Sequence, residues 1–301
     1  MTNDFFGLLA LVKPAGPSSA AVVERVRRLT GVRKVGHAGT LDPAADGVLV
    51  LAFGRATGCF PYLPTDKAYR ATVRLGATTD TQDGQGKILA SRPIPDLGPE
   101  QLESFLARFR GSILQRPPLV SALHHQGRRL YDIARAGETV DVPVRTVEIR
   151  SLTLVGLALP DVILDVACSR GTYIRSLASD LGEAIGCGAH LAGLTRTLCS
   201  GFPLETCLSL EQLEQSVAEK RWAGLLVDVN QGLRHLPELR VDAAGRRAVL
   251  TGRPLPATGA GGGLLRIVDS RGRLLAVAEV EGPSVVMRRV FGTAIEEEVR
   301  S

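Results

Sequence analysis

The sequence predicts a globular protein of interleaved helices and strands, one large unit followed by a small β-rich domain at about 234–301. Three observations lead there. With 301 residues, 45% of them hydrophobic, the chain can bury a sizeable core, and at about 100–200 residues per domain it suits one large or two unequal domains. Up to about residue 220, apolar residues recur at the period of a strand in some segments and of a helix in others. From Leu236 the pattern changes to short strands broken by Gly and Pro turns, including the flexible stretch ATGAGGG at 257–263.

Residues 7–12 (GLLALV) read as a short buried strand. Ser18 or Ser19 then caps a helix whose Val22, Val26 and Leu29 share a face and which ends before Gly31. Between Val32 and Asp46 neither period appears, so a polar loop leads into the apolar strand GVLVLAF at 47–53. Tyr69, Ala71, Val73 and Leu75 alternate with Arg70, Thr72 and Arg74, the mark of a half-buried strand. The loop GATTDTQDGQG, a helix near 98–110 and a polar stretch follow, and residues 117–145 read as a surface arm able to move. Strands are expected near 146–156 and 161–168, then a helix from Thr172 to Ile185 with a buried stripe of Ile174, Leu177, Leu181 and Ile185. Arg175 lies one residue off that stripe, in a first turn whose dipole disfavours a cation, so either an acidic or phosphate partner sits beside it or the side chain faces solvent. A last helix is expected near 209–220.

Charge and composition narrow the classes. The formal charge of +5 permits a polyanionic partner without demanding one, and only five of the 36 cationic residues are lysine. No run reaches the roughly 18 apolar residues of a membrane span, and no basic stretch precedes an apolar core at the N-terminus, so a cytosolic protein is expected. Five scattered cysteines without a CxxC pair suit reduced thiols, and Cys187-Gly-Ala-His190 lacks the second pair a metal site needs.

The loop GHAGTLDPAADG, Gly36 to Gly47, brings an imidazole, a hydroxyl and carboxylates into a glycine-rich segment. On spacing alone, Asp42-Pro43 starts a turn and Asp46-Gly47 ends one. His37 reads either as a loop histidine bonded to nearby backbone or as a ring for stacking on a base. Tyr69 reads as a core tyrosine with its hydroxyl at the rim or as a ring packed on a ligand. His124, His125, Gln126, Arg128 and Arg129 form either a solvated surface loop or an RNA-facing patch.

Five ordered blocks resolve some of these alternatives: KPAGPSS at 13–19, GHAGTLDPAADGVLVL at 36–51, KAYRATVRLGATTDTQDGQG at 67–86, PPLVSALHHQGRRLYDIAR at 117–135 and CSRGTYIRSLASDLG at 168–182. Together they resemble the bacterial TruB-type tRNA pseudouridine synthases over nearly the whole chain. That resemblance implies an α+β catalytic fold on a mixed, largely antiparallel sheet over residues 1–233. It also implies conversion of uridine-55 in the T loop of tRNA, an isomerisation needing no metal or organic cofactor. Asp42 corresponds to the catalytic aspartate, Tyr69 to the active-site tyrosine and Arg175 to the arginine that pairs with the aspartate. His37 then helps hold the extruded nucleotide, Lys13 supports the site, and both join Arg128 and Arg129 as expected RNA-binding residues. LPELRV at 236–241, LTGRPL at 250–255 and RIVDSRGRLLAVAEV at 266–280 resemble the small PUA domain, so residues 234–301 are expected to bind RNA. The tRNA T stem-loop is the expected partner, with no obligate protein partner and a monomeric chain.

The sequence departs from the family pattern at Asp46, where threonine is usual, at His124, where lysine is usual, and at Thr195, where a second arginine is usual. Two other classes share the fold or the carboxylate: an RNA-binding module that has lost catalysis, and a hydrolase that passes the sugar to water. Retention of Asp42, Tyr69 and Arg175 argues against the first, and the second would release free uracil.

Overall fold

The computed structural model describes residues 5–118, 124–125, 128–129, 142–257 and 261–292. From the N-terminus, β1 (Gly7–Lys13) leads into α1 (Ser19–Thr30), β2 (Val35–His37), β3 (Asp46–Phe53) and β4 (Lys67–Leu75), then the hairpin of β5 (Ala77–Thr79) and β6 (Ile88–Ser91). Next come α2 (Pro99–Leu106), β7 (Gly111–Gln115) and a two-stranded pair, β8 (His124–His125) with β9 (Arg128–Arg129). β10 (Arg145–Ala158), β11 (Asp161–Cys168), α3 (Ile174–Ile185), β12 (Ala189–Cys199), β13 (Phe202–Pro203) and α4 (Leu210–Ala218) follow. The last part contains β14 (Glu238–Arg240), α5 (Ala243–Leu250), β15 (Leu255–Pro256), β16 (Gly263–Val268), β17 (Leu274–Glu281) and β18 (Ser284–Val290).

The larger sheet has the order β1-β3-β12-β4-β11-β10-β7, with β2 beside β3 and β13 beside β12. Its pairs are antiparallel except for β3 and β12, which run parallel through Thr195–Asp46 and Arg196–Gly47. The fold is therefore α+β on a mixed, largely antiparallel sheet, as the resemblance implies. On β4, Tyr69, Ala71, Val73 and Leu75 are buried, while Arg70 and Arg74 turn outward to Asp165 and Asp161 at 2.8 Å. Ser18 Oγ accepts from Ala21 N at the start of α1, and Gly31 ends the helix at φ 71°, where a residue without Cβ is favoured.

One core packs α2 and α3 on the sheet through Leu102, Leu106, Leu177 and Leu181 against Val73, Leu164 and Ile149. A second gathers α1, α4 and Trp222 against Leu9, Leu11, Leu49 and Leu51. Fully burying each such side chain contributes about 1.5–3 kcal/mol. The C-terminal sheet, β14-β16-β17-β18-β15, shares a third core with the larger unit, where Leu274, Val277 and Phe291 meet Leu8, Ala52, Ala56 and Cys59. Arg55 Nη1 also donates to Phe291 O at 2.6 Å.

The structure corrects the sequence reading in four places. β12, unassigned by periodicity, lies in the middle of the sheet; register shifts at Leu191/Gly193 and Arg196/Leu198 break its alternation. β2 is a three-residue strand inside the stretch read as loop, too short to show a period. The helix expected to reach residue 110 gives way after Leu106 to a single 3-10 turn, and the chain enters β7 at Gly111. In the β-rich part, α5 forms where Asp242 accepts from Gly245 N at 2.8 Å.

Candidate active site

The loop between β2 and β3 carries Asp42, and three buried groups set its course. Ser19 Oγ accepts from Leu41 N at 2.8 Å and donates to Leu41 O at 3.0 Å, so α1 grips the residue before the aspartate. Lys13, completely buried at the end of β1, donates from Nζ to Pro14 O and Pro17 O at 2.8 Å and to Pro43 O at 3.2 Å. Arg196 of β12, also completely buried, donates from Nε to Val48 O at 2.7 Å, from Nη1 to Thr40 O at 3.2 Å and from Nη2 to Gly39 O at 3.1 Å. Charge-assisted bonds to several carbonyls offset part of the cost of burying each cation. Gly47 is required where β3 meets β12: its φ is +100°, and an added Cβ would lie 2.3 Å from Arg196 O.

Asp42 O accepts from Ala45 N at 3.1 Å, so the turn expected at Asp42-Pro43 forms and leaves the carboxylate at its corner. There it meets the second residue of α3. Arg175 Nε lies 2.9 Å from Asp42 Oδ2, and Nη2 donates to Oδ1 at 3.3 Å. The arginine side chain is 5% exposed and the aspartate 40%, so the cation is walled in while the carboxylate keeps an open edge. Arg175 Nη1 donates to Thr81 O at 3.2 Å, and Asp83 Oδ2 stands 4.0 Å from Nε. These groups from the β5–β6 loop, with Asp42, supply acidic surroundings for a cation in a helix's first turn.

The carboxylate opens onto a cavity of about 250 Å³ lined by Asp42, Lys67, Tyr69, Tyr173, Arg175 and Leu194, among others. A neighbouring cavity of about 180 Å³ shares Asp42, Arg175 and Leu194 and adds Asp83. A larger one, about 590 Å³ and lined by Leu9, Phe202 and His235, includes none of the expected site residues. Tyr69 is buried on β4 opposite Arg196, and burial pushes its phenol well above the ordinary value of 10.0, with Arg196 opposing part of that rise. The phenol therefore stays protonated at neutral pH.

Asp42, Tyr69 and Arg175 thus line one cavity, whereas His37 and Lys13 do not. His37 ends β2; burial and then Arg196 lower its pKa, and its Nδ1 is buried without a hydrogen-bond partner among the described residues. Lys13, expected among the RNA-binding residues, has its ammonium taken up by three carbonyls beneath the loop, a support rather than a surface contact. The backbones of His124–His125 and Arg128–Arg129 pair with one another. The side chains of Arg128 and Arg129, together with Gln126 and most of the 117–145 arm, lie outside the described residues. So do residues 258–260 of the stretch expected to be flexible. Two of the three departures from the family pattern face each other, Asp46 opposite Thr195.

Sequence reasoning missed Lys67, Asp83 and the roles of Ser19 and Arg196. Lys67 was detectable, since it lies two residues before Tyr69 on the same strand and so on the same face. Nothing local marks Asp83 or Arg196, whose positions depend on elements distant in the chain.

Models of two families match consecutive parts of the chain. The TruB family pseudouridylate synthase N-terminal domain matches residues 27–174, and the tRNA pseudouridylate synthase B C-terminal domain matches residues 175–233. The tRNA pseudouridine synthase B of Thiobacillus denitrificans is 43% identical over 288 residues, 95% of this chain and 96% of its own. That of Burkholderia pseudomallei is 45% identical over 295 residues, covering 95% of this chain and 97% of its own. Among solved structures, the chain resembles one in a Cbf5-Nop10-Gar1 complex with a TM-score of 0.76 at 27% identity, over 96% of this chain and 86% of that one. It also resembles a chain of an H/ACA RNP bound to a substrate RNA containing 2'-deoxyuridine, with a TM-score of 0.75 at 25% identity, over 96% of this chain and 86% of that one. The protein is thus a pseudouridine synthase, an isomerase. Within that class the chain belongs to the TruB family of tRNA pseudouridine synthases.

Proposed function

We propose that the protein converts uridine-55 in the T loop of tRNA to pseudouridine, with Asp42 as its catalytic carboxylate. The observation that carries this reading is the Arg175–Asp42 contact at the edge of a cavity walled by Tyr69. The reaction breaks the N1–C1′ bond, turns the uracil and joins C5 to C1′. Positive charge develops on the sugar, and a carboxylate held beside C1′ stabilises it, either by forming a covalent bond or by standing against an oxocarbenium-like ion on the way to a glycal. Arg175, itself immobilised by burial, orients that carboxylate with two donors. Tyr69 packs against the uracil; a phenol with a raised pKa suits packing and water exclusion better than service as a base. A cavity of 250 Å³ falls below the usual 300–1,000 Å³ or so of small-molecule pockets, in keeping with a single base turning in place.

A T-loop uridine must leave its stack before C1′ is reachable, at a cost of about a few kcal/mol. In this reading His37, Arg128, Arg129 and the arm at 117–145 offset that cost, while residues 234–301 act as a PUA-like RNA-binding domain. The catalytic domain is then 1–233, and the enzyme works as a cytosolic monomer. Because the isomerisation is redox-neutral, the reading requires no metal or cofactor.

The test is a T-arm stem-loop RNA tritiated at uridine C5, incubated with wild type and with Asp42→Asn, followed by nucleoside digestion. Tritium release and T-loop pseudouridine are expected from wild type and neither from the variant. Tight RNA binding without release, or free uracil as the product, would overturn the reading.

A further inference from the structure

Breaking N1–C1′ sends the bonding electron pair away with the uracil, so the detached base is an anion until C5 bonds to C1′; C5 then loses its proton and N1 gains one. This holds for the covalent and the glycal route alike. The site must therefore stabilise negative charge on the base as well as positive charge on the sugar, and Asp42 serves only the second need.

Arg175 lines the cavity and Arg196 lies buried beneath the Asp42 loop, and both have donors already engaged. Arg175 is taken up by Asp42 and Thr81 O, and Arg196 by Val48 O, Thr40 O and Gly39 O. Lys67 differs. It sits on β4 two residues before Tyr69, between Cys168 of β11 and Cys199 of β12, and it lines the cavity with Asp42 and Tyr69. No carboxylate or hydrogen-bond acceptor is placed on its ammonium among the described residues. Its Nζ passes 3.3 Å from the point a Cβ on Gly39 would occupy, so the glycine in the Asp42 loop gives it room.

We infer that Lys67 is a further catalytic residue, its ammonium set to face the carbonyl edge of the uracil and to stabilise the base anion released from C1′. The inference rests on the assignment of Asp42 and this cavity to the reaction. The lysine keeps its proton throughout and acts by charge and hydrogen bonding, which count for more in a site closed to water. Burial, followed by Arg196 and Arg170, lowers its pKa below 10.5, while the thiols of Cys168 and Cys199 oppose the shift. Asp42 and Tyr69 face the same cavity. Activity is accordingly expected to fall as pH rises through that lowered value.

The test compares wild type, Lys67→Met, Lys67→Arg and Asp42→Asn in single turnover, on T-arm RNA carrying either uridine or 5-fluorouridine at the target. Fluorine makes the departing base a more stable anion, which then needs less help. Lys67→Met is expected to slow consumption of the uridine by about 10²–10³-fold, as loss of one preorganised charge-stabilising donor does, with RNA affinity unchanged and a markedly smaller penalty on 5-fluorouridine. Lys67→Arg is expected to recover part of the rate and to move the alkaline limb to higher pH, with thermal unfolding confirming that both variants fold. An equal penalty on both substrates, a loss confined to RNA affinity, or wild-type rates in Lys67→Met would overturn the inference. Full activity in Asp42→Asn would instead overturn the reading beneath it.

Discussion

Arg175 and Asp42 are 133 residues apart in sequence, and their contact depends on a planar cation held rigidly against a partly open carboxylate. Geometry as much as charge matters here, because a guanidinium presents two donors in a fixed fork and an ammonium cannot. Arg175→Lys keeps the charge and removes one prong. A charge-assisted hydrogen bond contributes about 1.5–3 kcal/mol, so kcat is expected to fall about ten- to a hundredfold with little change in KM. Single-turnover and steady-state rates on T-arm RNA measure both, and an unchanged kcat would mean that charge alone positions Asp42. Lys13 and Arg196 use their cations differently, spending their donors on backbone carbonyls to hold the loop that presents the aspartate.

Among the elements, the parallel contact between β3 and β12 governs the site. It is two residues long, and it places the Arg196 backbone against Gly47 while the Arg196 side chain reaches back under Gly39 and Thr40. Gly47→Ala introduces a Cβ at a positive φ and 2.3 Å from Arg196 O, so β3 and β12 must separate. A cost of at least about 2 kcal/mol is expected from strain and displaced packing. It would appear as a lower urea midpoint together with reduced activity, since the Asp42 loop shifts with β3. Equal midpoints for variant and wild type would show that the strands adjust without loss.

At the scale of the whole molecule, the two sheets share a core, and Cys59 lies completely buried within it. Burial pushes its thiol up to about 12 from an ordinary 9.0. The folded state therefore holds this proton more tightly than the unfolded chain does. The stability that follows is complete below pH 9 and drains away as pH climbs from 9 towards 12. Urea unfolding of wild type and Cys59→Ala across that range should show the wild-type advantage narrowing with pH. An advantage that stays constant would mean that ionising the thiol does not loosen the junction between the sheets.

Much of the architecture was legible because it is written over a few residues at a time. The alternation from Tyr69 to Leu75 predicts which side chains of β4 are buried, and Ser18 and Gly31 bound α1 by capping chemistry that needs no distant partner. The motif blocks likewise carried Asp42, Tyr69 and Arg175 by resemblance. β12 was not legible, because two register shifts erase its period and because a buried arginine contradicts the pattern of a central strand. Local periods and caps follow from short stretches of chain, and the motif blocks single out Asp42, Tyr69 and Arg175 as candidates. It took the packed fold to set β12 between β3 and β4, to run Arg196 beneath the Asp42 loop, and to bring Lys67 into a cavity with Asp42 and Arg175. A period or a cap is satisfied within a turn or two of chain, whereas a buried cation takes whatever acceptors packing brings to it, and those come from residues far away in sequence.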